Sequence, residues 1–247
     1  MSIATIIVIV LVAFAGAFVQ GITGFGSAMV FMSFLPLVVP LSSASAMVPV
    51  MLTIIGIQVT IKLFKHISWK TVIVPLIFSM ASASIGVWIM RYFTVKTMQI
   101  ILGCFLIFVG VYSFATSKHP IRIKPTLVSG GIAGLIAGIF TGLLNIGGPP
   151  LAIYYNASTE DPKEFMGNIE FNFIVMYGWT ALNYAMKGSY SQENLLYLIP
   201  AAVGVIAASF LGLKVYSKFN KKVVSRLVWG MLIVMGLYQL AKAFGIL

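Results

Sequence analysis

The sequence predicts an all-α polytopic membrane protein of two inverted repeats, each a glycine-broken helical hairpin plus three transmembrane helices. Three observations predict it. Sixty per cent of the 247 residues are hydrophobic and only 9% are charged, where a soluble domain carries charge on nearly a quarter of its residues. Two glycine-rich stretches, Gly21–Ser27 (GITGFGS) and Gly142–Pro150 (GLLNIGGPP), interrupt apolar runs. The two halves of the chain also match in order, as shown below.

The runs without charge, 3–61, 71–90, 97–117, 125–159, 171–186 and 194–213, are therefore read as membrane segments. Most of the Lys and Arg residues behind the net charge of +11 lie in short loops between those runs. That placement points to membrane orientation and excludes a nucleic-acid partner. The single Cys104 leaves no intrachain disulfide and no cysteine metal cluster, and its apolar helix makes it an expected core residue. No Lys or Arg precedes the first apolar run, so that run is expected to stay as a helix rather than serve as a secretory leader.

In order, the expected first helix covers Ile3–Val19 with Gln20 at its end, followed by the first break and a short run over Ser27–Pro40. Helices over Ser42–Lys62, Thr71–Met90 and Thr97–Thr116 complete a first repeat, residues 1–117. A basic linker, 118–125, leads to the second repeat, 126–247. There a helix over 126–141, the second break and a short run over Leu151–Ala157 precede helices over Asn168–Met186, Leu195–Tyr216 and Val223–Phe244.

The two halves can be matched at several residues. Ile107–Tyr112 (IFVGVY) lies over Ile233–Tyr238 (IVMGLY), 126 positions on; Pro75 lies over Pro200, and Gln58 and Lys62 over Asn183 and Lys187, 125 on; Gly21 lies over Gly142, 121 on. Co-linear matches of this kind indicate an internal duplication. If each half crossed four times, Lys and Arg would divide eight against eight between the two sides. If each break is instead the tip of a hairpin, residues 62, 65, 70, 118, 122, 124, 163, 214, 218, 221, 222 and 226 share one side against 91, 96, 187 and 242. The positive-inside rule selects the hairpins. Five segments per half make the repeats inverted, put both termini outside the cytoplasm, and let the two tips approach from opposite faces.

Glycine costs about 1 kcal/mol inside a helix and proline about 3, so both stretches should end the helix before them. A broken helix in lipid survives only where its free backbone groups are buried in protein or face a watery cavity. The helix that restarts offers free N–H groups and a positive dipole end, a setting suited to an anion. The expected substrate-binding residues are Gln20, Gly21, Thr23, Gly24, Gly26 and Ser27 from the first break. From the second come Asn145, Gly147, Gly148 and Pro149, with Tyr154, Asn168 and Asn172 beyond it. Neutral donors and dipoles alone favour weak, reversible binding. Glu170 is the acid placed to carry a coupling proton, with a helix-start carboxylate at the interface as its bland alternative. Gly130, Gly131, Gly134 and Gly138 are expected to allow close helix packing. His66 and His119 are expected in solvated loops, and no metal ligand set or cofactor motif is present.

With motifs GITGFGSAMVFMSFLP at 21–36 and GLLNIGGPPLAIYY at 142–155, the chain resembles the sulfite exporter TauE/SafE family, also called toluene-sulfonate uptake permeases. The resemblance covers essentially the whole chain. It implies a multi-pass plasma-membrane carrier, not an enzyme, with small sulfur oxyanions and organosulfonates as substrates and the binding role at Gly21, Gly24, Gly26, Gly147, Gly148 and Pro149. The rival readings are an anion channel of the same fold and a non-transporting scaffold. An intramembrane enzyme would need paired catalytic groups, and no Asp lies within an expected span.

Overall fold

A computed structural model describes residues 3–116, 122–215 and 221–246. Lys118, His119, Tyr216 and Lys218 lie outside the described residues, as do the side chains of Arg91, Glu193, Lys221 and Lys222. The described chain is helical, without strands. Its helices are α1 (Ile3–Thr23), α2 (Ser27–Phe34), α3 (Leu41–Leu63), α4 (Trp69–Ile89), α5 (Val95–Thr116), α6 (Leu127–Leu144), α7 (Gly148–Ser158), α8 (Pro162–Met186), α9 (Gln192–Val215) and α10 (Lys221–Ala243). Among the described residues six helices are long and apolar enough to cross a membrane, and the one built on α3 is the most buried of them. Large apolar side chains such as Ile3, Ile61, Phe108, Ile199 and Val234 stand exposed around the outside. A soluble monomer rarely shows so much apolar surface, whereas lipid covers it.

The packing pairs helices across the two halves. α4 packs on α6 and α1 on α9, α5 packs on α10, and α3 packs on α8. Exchanging each helix with the one five places on swaps the first two of these pairs and returns each of the other two to itself. The glycine contacts obey the same exchange: Gly21 meets Gly212 at the α1–α9 crossing, and Gly142 meets Gly86 at the α6–α4 crossing. Gly110 likewise faces Ile233 while Gly236 faces Ile107. A Cβ on Gly134 would come 2.8 Å from Pro75 Cα, and one on Gly138 2.9 Å from the Ala83 nitrogen, so both glycines let α6 lie directly on α4.

Basic loops gather at one end of the molecule. His66 Nδ1 lies 3.9 Å from Asp161 Oδ2, and Arg122 reaches both Glu160 (3.7 Å) and the Thr159 carbonyl (2.9 Å). These exposed contacts add little stability, but they join the loop after α3, the linker and the start of α8.

Several boundaries differ from expectation. α1 runs on to Thr23, so Gly21 is helical and held by its fit against Gly212. α8 starts at Pro162, capped by Asp161, whose side chain accepts from the Lys163 N–H. Glu170 therefore lies two turns inside the helix, not at its start. Cys104 is exposed rather than a core residue. The lipid-facing wall of α5 is as apolar as its packed wall, so composition did not distinguish them.

Candidate functional site

The first break is three residues long. Gly24, at φ 82°, donates its N–H to the Gln20 carbonyl (2.7 Å), and Gly26, at φ 108°, caps α2. Both angles lie in the left-handed region that glycine enters at no steric cost. The second break has the same form 121 positions on, Asn145 standing where Gly24 does and Gly148 where Ser27 does. Asn145, at φ 57°, closes α6 with its N–H on the Thr141 carbonyl (2.8 Å) and the Ile146 N–H on the Phe140 carbonyl (3.3 Å), a left-handed helix cap. Pro149 and Pro150 occupy the first turn of α7, where a missing N–H is harmless. The two breaks meet: a Cβ on Gly148 would sit 4.0 Å from the Cβ of Phe25.

Around this meeting point lies a buried polar cluster organised by α8. Residues 170 and 177 share one stripe of that helix and 168 and 172 another, as i+7 and i+4 spacings require. On the first stripe, Gln20 Nε2 donates to both carboxylate oxygens of Glu170 (3.0 and 2.9 Å), and the Ser27 hydroxyl donates to Gln20 Oε1. All three residues are fully buried. No cation among the described residues lies within ion-pair distance of Glu170. The Tyr177 hydroxyl donates to the Asn145 carbonyl (3.3 Å). On the second stripe, Asn172 Nδ2 donates to the Tyr155 hydroxyl (3.0 Å), and the Ser79 hydroxyl lies 3.3 Å from Asn172 Oδ1. Asn168 Oδ1 accepts the Ser68 N–H (2.8 Å).

Two intrahelical prolines supply acceptors to this cluster. Pro49 in α3 has no N–H for the Ser45 carbonyl, which accepts Asn145 Nδ2 instead (2.9 Å). Pro75 in α4 likewise frees the Thr71 carbonyl, 3.4 Å from the Tyr154 hydroxyl. Two further groups have no partner: Asn145 Oδ1, an acceptor, and Asn168 Nδ2, a donor, both fully buried. A buried polar atom left unpaired costs about 1–3 kcal/mol.

The expected site residues thus divide. Gln20, Ser27, Asn145, Asn168, Glu170 and Asn172 form the cluster. Thr23, Pro149 and Tyr154 line a cavity of about 1300 Å³ that extends from the breaks to Glu160 and Arg226 at the basic end. Gly24, Gly26 and Gly148 shape the backbone. Gly21 faces α9, and Gly147 is pressed on α6, where a Cβ would come 2.5 Å from the Ala137 carbonyl. Tyr155, Tyr177, Ser45 and Ser79 were not foreseen. Pro49, read as a carbonyl-freeing break inside a long helix, would have pointed to Ser45; no such signal marks Tyr155, Tyr177 or Ser79.

Asn145→Ala should destabilise the protein by about 2–4 kcal/mol, because it strains the left-handed cap and strands the buried Ser45 carbonyl. Asn145→Gly, which relieves the strain alone, should cost about 1 kcal/mol less. Thermal unfolding of the detergent-purified variants orders the two.

The model of one protein family, the sulfite exporter TauE/SafE, matches residues 8–239. The chain belongs to this family. As such it is a membrane transporter and not an enzyme. A relative from Cupriavidus necator, named "Probable sulfite/organosulfonate exporter TauE", is 25% identical over 228 residues, covering 90% of this chain and 88% of the relative. No solved structure matches.

Proposed function

We propose that this transporter exports small sulfur-containing anions, such as sulfite, thiosulfate or organosulfonates, across the plasma membrane by alternating access between its two breaks. The observation that carries the reading is the buried polar cluster along α8, with its unpaired Asn168 amide donor. Neutral donors of this kind hold an anion without a fixed cation and let it go again. The substrate class comes from the name of the Cupriavidus necator relative. Residues 1–117 and 126–247 act as inverted repeats joined by a cytoplasmic linker, with both termini outside. The helix pairs that exchange under a five-helix shift support that layout. So do the contacts that put Arg122 beside Glu160 and His66 beside Asp161, since four crossings per half would separate those loops. Thr23, Pro149 and Tyr154 at the breaks line a mostly apolar cavity that reaches Glu160 and Arg226, and Glu170 takes up the coupling proton.

Asn168→Asp tests the site. It keeps the acceptor for the Ser68 N–H and turns the free donor into an oxygen that repels an anion. Hydrogen bonds to charged groups contribute about 1.5–3 kcal/mol, so counterflow of labelled sulfite or methanesulfonate in proteoliposomes should fall roughly tenfold to a hundredfold. Ser33→Ala, which removes an unpaired hydroxyl on α2, should leave counterflow unchanged. Unaltered counterflow in Asn168→Asp removes the residue from the site, and an ohmic single-channel current in the native protein sinks the carrier reading.

A further inference from the structure

At the basic end, two lysines from different helices converge on one ring. The Lys62 ammonium of α3 lies 4.9 Å from the centroid of Phe210, and the Lys214 ammonium of α9 lies 4.4 Å from the same centroid. Each contact is a modest cation–π attraction, but it holds two like charges together. Among the described residues no carboxylate lies within ion-pair distance of either. The repeat-related Lys187 is differently placed, since its Nζ donates to the Val87 carbonyl at 2.6 Å.

Next to Lys62 and Lys65 a groove of about 520 Å³ follows α3, lined by Ile57, Ile61, Phe64 and Ile174 of α8. Thr60 lines the same groove, and its buried hydroxyl has no hydrogen-bond partner. Lys62 and Lys214 stand at the ends of the apolar spans Leu41–His66 and Asn194–Lys214, which is headgroup depth in a bilayer. We propose that Lys62, Lys65 and Lys214 bind the phosphate headgroup of one anionic phospholipid, whose acyl chain occupies the groove along α3. A shared anion relieves the repulsion between the two lysines, and basic pockets between helices at the membrane surface select such headgroups. A free phosphate would match the lysines but leave the apolar groove unfilled, so the lipid is the occupant the surface fits.

The full chain in nanodiscs of phosphatidylcholine with a minority of phosphatidylglycerol provides the test, read by native mass spectrometry after extraction. The protein should retain one phosphatidylglycerol, and added inorganic phosphate should not displace it. The Lys62→Gln/Lys214→Gln double variant should hold it roughly thirtyfold more weakly, at about fivefold per lysine, whereas Lys124→Gln should behave as wild type. If the double variant fails to assemble, Phe210→Leu gives the same readout with a severalfold loss. Equal retention by the variants, or displacement by inorganic phosphate alone, overturns the proposal.

Discussion

Glu170→Gln should leave the protein folded and make its binding of methanesulfonate independent of pH across the neutral range. The glutamine side chain has the same shape and can still accept from Gln20 Nε2, which donates to both carboxylate oxygens in the native protein. It removes a buried group with two charge states. In the native protein a carboxylate at this position repels an incoming anion, whereas the neutral acid does not. Linkage then requires that anion binding and proton binding strengthen each other by the same factor. The native affinity should therefore rise as pH falls, on the order of tenfold between the two charge states, and binding should take up a proton from unbuffered solution. Methanesulfonate keeps one charge throughout, so its own titration contributes nothing. Tyr177, on the same stripe of α8, is another titratable side chain of the cluster, and Tyr177→Phe should keep the pH dependence. A Glu170→Gln protein whose affinity still follows pH removes the coupling role.

The gross architecture was legible because the membrane imposes it. Backbone groups must be satisfied within each span, so hydrophobic runs, their lengths and the positions of Gly and Pro carry most of the fold. Gly24 and Asn145 illustrate what carries over and what does not. Both end their helices in the left-handed region at equivalent positions of the two halves, which the sequence offset predicts. Nothing local, however, says that Gly21, three residues earlier, remains helical. That follows from Gly212 lying directly on it, a contact 191 positions away in the chain. The same holds for the site. Its asparagines and Glu170 were visible as polar residues in apolar surroundings, whereas Tyr155 and Tyr177 read as ordinary aromatic core until their hydroxyls are seen to meet Asn172 and the Asn145 carbonyl. α8 shows the limit from the other side. Asn168, Glu170 and Asn172 lower its apolar character so far that it is absent from the six apolar spans. It is nonetheless a 25-residue helix packed against α3. The helix that organises the cluster is thus one that hydropathy does not mark as a span.

Glycine substitutions at the helix crossings should have the largest effect on assembly, and their sign should depend on what each glycine faces. Transmembrane helices gain nothing from hiding apolar surface from lipid, so close backbone approach and the contacts it allows hold them together. A Cβ on Gly142 would come 2.5 Å from the Val87 nitrogen and 2.7 Å from Gly86 Cα, both backbone atoms that cannot rotate aside. Gly142→Leu therefore has to separate α6 from α4 along their whole crossing. Overpacking a core costs about 1–3 kcal/mol where side chains can yield, and here the cost should exceed the upper figure. The variant should give little monodisperse protein in detergent. Gly21→Leu, at the equivalent crossing of α1 with α9, should fail in the same way, because its Cβ would lie 3.0 Å from Gly212 Cα. Gly230 in α10 has open space where its Cβ would stand. Gly230→Ala should raise stability by about 0.5–1 kcal/mol through helix propensity alone. Size-exclusion profiles and unfolding midpoints of the three variants decide the matter. If Gly142→Leu and Gly21→Leu assemble as well as Gly230→Ala, the crossings are not the close backbone contacts described, and the equivalence of the two halves loses its strongest packing support.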